Sequence, residues 1–75
     1  MKVIDLHGVR YKDVYGMLEK SCTLEDLPFV VITGRSSNMK RIVSEIVSTF
    51  GLEARERLGN EGRMIVCENN RKKFE

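Results

Sequence analysis

The residues best suited to chemistry are Asp5 and His7, set in the run Ile4-Asp5-Leu6-His7-Gly8. Successive residues of a strand point to opposite faces. Asp5 and His7 therefore share one face and Ile4 and Leu6 the other, which brings a carboxylate beside the only histidine of the chain. Gly8 then lets the backbone turn sharply. A second polar cluster, Thr33-Gly34-Arg35-Ser36-Ser37-Asn38, leaves the most hydrophobic run of the chain, Phe29-Val30-Val31-Ile32, and enters the clearest helical pattern. The free amides at a helix N-terminus favour an anion such as phosphate. Arg35 and Arg41 can pair with further phosphates, and Arg10 flanks the first turn. Taken together, the Asp/His pair, the glycine-bounded polar loop and the arginines describe an anion site. Each piece also has a plainer explanation: Asp5 and His7 can hydrogen-bond to steady the first turn, and serine and asparagine before a helix are ordinary caps.

These residues need a scaffold, and the hydrophobic pattern supplies one. Residues 2–6 form a first strand. Val14, Met17, Leu18 and Cys22 lie at helical spacing over 11–22, despite Gly16, which costs about 1 kcal/mol relative to alanine. Residues 29–32 are a short unbroken apolar strand after Pro28, covered on both faces and hence near the middle of a sheet. Over 39–50, Met39, Ile42, Val43, Ile46, Val47 and Phe50 fall on one helical face, and Gly51 is a natural stop. Residues 52–58 alternate, with Leu52, Ala54 and Leu58 against Glu53, Arg55 and Arg57. A hairpin turn over 59–62 leads into a last strand, 64–67.

The order β-α-β-α-β-β predicts an α/β two-layer sandwich, a mixed four-stranded sheet with two helices on one face and the other face open to solvent. A right-handed crossover makes the first two strands parallel. Their exits, His7-Gly8 and the 33–38 loop, then emerge at the same end of the sheet, where ligands of open α/β sheets bind. Residues 1–69 make the domain and 70–75, with Arg71, Lys72 and Lys73, a basic, flexible tail.

A chain of 75 residues buries roughly 60% of its unfolded surface, enough for a single thin core. With 41% hydrophobic and 32% charged residues it reads as an ordinary globular domain and not a disordered one. No apolar run approaches the ~20 residues of a membrane span, and the opening residues lack the apolar centre of a secretion signal. Cys22 and Cys67 have no metal-ligand spacing. The expectation is a reduced, cytoplasmic protein with no membrane partner. No Walker loop or Gly-x-Gly-x-x-Gly fingerprint points to an NTPase or a dehydrogenase, and one histidine with scattered acids is too little for a zinc site.

Three segments resemble one family. Ile4-Asp5-Leu6-His7-Gly8 resembles the Leu-Asp-Leu-His-Gly signature of the Smr (small MutS-related) domain. Val31-Ile32-Thr33-Gly34-Arg35 is similar to its second motif, a strand ending in Thr/His-Gly-x-Gly, and Asn60-Glu61-Gly62-Arg63 to its closing Asn-x-Gly turn. Together they cover nearly the whole chain, in the family's order. The resemblance implies a sandwich like the C-terminal domain of bacterial translation initiation factor three. It also implies binding of nucleic acid and endonuclease activity that cuts RNA or nicks DNA, often with divalent-metal dependence; RNA is the favoured partner here, and Mg2+ or Mn2+ the metal. Asp5 and His7 take the places of the family's Asp-x-His pair as catalytic residues, with Asp5 also the metal ligand. Gly8, Arg10, Thr33, Gly34, Arg35, Ser36, Ser37, Asn38 and Arg41 are the phosphate-binding residues. Ser36 stands where the family has its second glycine, which bears on catalysis more than on binding.

In this reading His7 is general acid or base at the scissile phosphate, since histidine changes charge nearest neutral pH. Asp5 orients it or holds the metal, and Arg35 with the Gly34 to Asn38 amides carries the growing phosphate charge. Two alternatives stand beside it: a non-catalytic nucleic-acid binder using Arg55 and Arg57 of the open face, and a protein-interaction accessory module. The predicted open face carries no aromatic residue, which argues against a stacking platform there.

Overall fold

The computed structural model describes residues 1–23, 25–57 and 59–69. The basic tail 70–75 and Leu58 of the third strand, both assigned above, lie outside the described residues. The elements are β1 (Val3–Asp5), α1 (Tyr11–Glu19), β2 (Phe29–Ile32), α2 (Ser37–Thr49), β3 (Leu52–Arg57) and β4 (Asn60–Glu68). They form one mixed sheet in the order β1-β2-β4-β3. β1 and β2 run parallel, while β4 is antiparallel to both β2 and β3. The apolar run of β2 is thus interior, as its lack of polar residues requires.

Register explains which residues reach the core. Ile4, Val31 and Met64 pair in one row, and Phe29, Val66 and Ala54 in the next. These residues join Val14 and Leu18 of α1 and Met39, Val43 and Val47 of α2 in a single buried cluster. Both helices therefore cover the same face. The first row ends at Glu56, opposite Met64, and its carboxylate lies 3.2 Å from Lys40 Nζ of α2. The other face carries Val3, Val30, Ile65 and Arg55 in one row and Asp5, Ile32 and Arg63 in another. Arg55 is held there by Glu53 at 2.8 Å; the Arg57 side chain lies outside the described atoms.

Two boundaries differ from expectation. α1 stops at Glu19, and Met17 is 40% exposed while Ser21 is buried. Val14, Leu18 and Ser21 are the buried positions of this segment, so Met17 falls on the flank of the stripe. Cys22 packs from the following loop as a free thiol, and burial pushes its pKa up, so it stays a protonated apolar filler. The hairpin is also tighter than 59–62. β4 begins at Asn60, which pairs with Arg57, and a register shift between Glu56 and Arg57 absorbs the mismatch. Gly62 thereby becomes a strand residue beside β2. Among the described residues no helix is long and apolar enough to cross a membrane.

Candidate functional site

The end of β1 is built to turn. Pairing with β2 continues one residue past Asp5, through Leu6 N–H to the Ile32 carbonyl at 2.8 Å. The chain then folds back, with Val9 N–H donating to the Leu6 carbonyl at 3.0 Å. Gly8 takes φ +82°, a conformation that costs a side-chain-bearing residue roughly 1–2 kcal/mol. Asp5 Oδ1 accepts the His7 backbone N–H at 2.9 Å. The carboxylate therefore positions His7 through its main chain, and no bond to the imidazole is formed. This differs from the expected side chain to side chain contact, because the carboxylate is captured locally by the amide two residues on, as aspartate in turns commonly is.

The end of β2 is tied down from behind. The Gly62 carbonyl accepts three donors: Thr33 N–H at 2.9 Å, Gly34 N–H at 3.1 Å and the Thr33 hydroxyl at 3.4 Å. That hydroxyl also lies 2.9 Å from the Gly34 carbonyl, and Thr33 is buried. The Gly34 amide is thus spent within the fold and cannot serve a phosphate, a correction to its expected role. What Gly34 supplies is room. At φ +66°, a Cβ added there would lie 2.8 Å from His7 Cδ2. The imidazole rests directly on the glycine. Gly34→Ala is expected to cost about 1–3 kcal/mol from backbone strain and to lift the ring from its seat. Urea denaturation together with the His7 ring proton shifts tests this, and an unmoved ring would contradict it.

The two turns enclose an open cavity of about 530 Å³. Leu6 and Met39, both buried, and the half-buried Val9 make its apolar base. His7, Arg10, Arg35 and Tyr11, all exposed, surround it, and Gly8, Thr33 and Ser36 complete the wall. Ser36 does not close the cavity. It takes an ordinary extended backbone (φ −70°, ψ 114°) and turns its hydroxyl to cap α2, accepting Met39 N–H at 3.1 Å. Among the described residues no acidic side chain lines the cavity. Arg10 and Arg35 form no ion pair among the described residues, whereas other cations do.

Of the residues singled out by the sequence, His7, Gly8, Arg10, Thr33, Arg35 and Ser36 line this cavity, with Gly34 against the imidazole. Asp5 braces the first turn from outside the lining. Ser37 and Asn38 open α2 and are exposed but do not line the cavity. Arg41 lies one turn further along, within 3.7 Å of Glu45, and also stands apart from it. Its i,i+4 carboxylate is a nearer partner than the cavity. Tyr11 and Gly62 were not anticipated as site residues. Tyr11 opens α1 three residues after the Gly8 turn, and the placement of that helix brings it to the cavity. Gly62 reaches the site only through the pairing of β4 with β2.

The family resemblance implies a divalent metal, an ion that takes oxygen ligands. Among the described residues no cluster of three or more His, Cys, Asp or Glu side chains exists, and one Asp5 oxygen already accepts an amide. Asp5 alone would leave a Mg2+ ion held mainly by water and by phosphate oxygens of the substrate. No protein-family model, curated protein or solved structure matches the chain.

Proposed function

We propose that this chain is an Smr-type nucleic-acid-binding domain that cleaves RNA at the His7 cavity. The observation that carries this reading is the meeting of the sole imidazole with two guanidinium groups, neither of them ion-paired among the described residues, on one cavity. Arginine pairs with phosphate through two parallel hydrogen bonds, so Arg10 and Arg35 would hold the scissile phosphodiester and stabilise the charge that builds on it. His7 would remove the proton of the 2′-hydroxyl, whose oxygen then attacks phosphorus as the bond to the 5′-oxygen breaks, giving a 2′,3′-cyclic phosphate; the departing 5′-oxygen would take its proton from the imidazolium so formed, directly or through water. RNA is favoured over DNA because its 2′-hydroxyl is an internal nucleophile, which suits a site with one base and, among the described residues, no carboxylate cluster. The Asp5 carboxylate, by fixing the His7 amide, keeps the imidazole at the phosphate.

A non-cleaving binder is the second reading. It is favoured by Ser36, a side-chain-bearing residue where the family has its second glycine, even though its hydroxyl is turned to cap α2. Incubating the protein with labelled RNA and DNA, with chelator or with added Mg2+ or Mn2+, distinguishes the two. Cleavage of RNA supports the first reading, binding without cleavage the second, and neither would refute both. Binding should also weaken as salt rises. Each neutralised phosphate of a single strand contributes about −0.7 to the slope of log K against log[salt]. The double variant Arg10→Ala/Arg35→Ala is expected to flatten that slope by about 1.4, measured by fluorescence anisotropy; an unchanged slope would remove both arginines from the interface.

A further inference from the structure

We infer that the cavity accepts one unpaired nucleotide, its base stacked on Tyr11 and its phosphate held by Arg10 and Arg35. This inference rests on the nucleic-acid reading above and narrows it to a substrate class. Its support lies in the make-up of the cavity. A phosphate needs only the cationic rim, yet the base of the cavity is apolar, formed by Leu6, Val9 and Met39. An anion alone would lose hydration over that surface without compensation. A planar, weakly polar ring would not, and an aromatic face stands beside it. Tyr11 is 51% exposed and contributes to the cavity wall, so its ring is held at the site without being needed by the core. The other surface tyrosine, Tyr15, is engaged with Phe50 at a ring-centroid distance of 6.0 Å and does not line the cavity.

Size and shape agree with one nucleotide. A cavity of about 530 Å³ falls within the roughly 300–1,000 Å³ of small-ligand sites. Bases within a duplex are stacked on their neighbours and cannot enter a concavity with an aromatic side wall. A base in a loop, a bulge or a single strand can be splayed out to stack on such a ring. The expected preference is therefore for unpaired over paired nucleic acid, tolerant of base identity, since every base has a π face.

The test uses fluorescein-labelled 2′-O-methyl RNA, which has no free 2′-hydroxyl to react, as a single strand, as a blunt duplex and as the same duplex with one bulged nucleotide. Anisotropy is measured with the wild-type chain and with Tyr11→Ala, Tyr11→Phe and Tyr15→Ala, each checked for folding by circular dichroism. The single strand and the bulged duplex should bind more tightly than the blunt duplex. Tyr11→Ala should weaken single-strand binding about 5- to 150-fold, while Tyr11→Phe and Tyr15→Ala retain wild-type affinity. Equal binding of all three ligands, or no effect of Tyr11→Ala, overturns the inference while leaving nucleic-acid binding intact. Failure of every ligand to bind defeats the underlying reading instead.

Discussion

Replacing His7 by alanine is expected to slow RNA cleavage by about 10²–10⁴-fold, with binding of the uncleavable 2′-O-methyl strand unchanged. The separation follows from the geometry. In the proposed reading phosphate affinity would rest on Arg10 and Arg35, whereas proton transfer would rest on a ring of the same cavity that makes no ion pair among the described residues. His7 is exposed, and the hydrogen bond to Asp5 uses its backbone amide, which alanine keeps. The turn should therefore survive the substitution, and circular dichroism and urea denaturation would register any loss. Undiminished cleavage would remove His7 from the reaction; a parallel loss of binding would make it an anchor for the strand and not the base.

The second large effect concerns stability. Phe29 is fully buried and is the largest of the fully buried side chains. It sits on an interior strand opposite Val66 and packs in the cluster shared by both helices. Truncation of a buried phenylalanine costs about 3–5 kcal/mol, the lost transfer free energy plus the cavity left behind. For 75 residues, a stability of 0.05–0.15 kcal/mol per residue gives a total of about 4–11 kcal/mol. Phe29→Ala thus removes about a quarter or more of the margin and can unfold the domain outright. Phe50→Ala, at a side chain 36% exposed, should cost clearly less. Urea midpoints of the two variants provide the comparison, and equal losses would contradict the assigned core.

The same packing decides how the site is kept in shape. Gly62, Thr33 and Gly34 form a small network between β4 and the exit of β2, with the imidazole lying on Gly34. Changes in this network are expected to act on His7 without touching any ligand, which is why the Gly34→Ala test reads the ring position as well as stability.

Periodicity along the chain was enough to determine the element order, the mixed two-layer architecture and most of the core, because burial of alternate strand residues and of one helical stripe leaves a local imprint. The proximity of His7 to the 33–38 loop was also legible, since the crossover rule makes β1 and β2 parallel and their exits adjacent. Three features were decided only in the folded chain. Asp5 turned to a backbone amide because a donor two residues away competes with any more distant partner. Arg41 left the site for Glu45, a choice set by helix geometry and not by its nearness in sequence to the loop. Gly62 and Tyr11 entered the site through strand register and helix placement, and these depend on how separate segments pack. A linear pattern records which residues must be hidden; it does not record which distant backbone carbonyl will meet a given amide, or which exposed ring will stand over a cavity that several elements share.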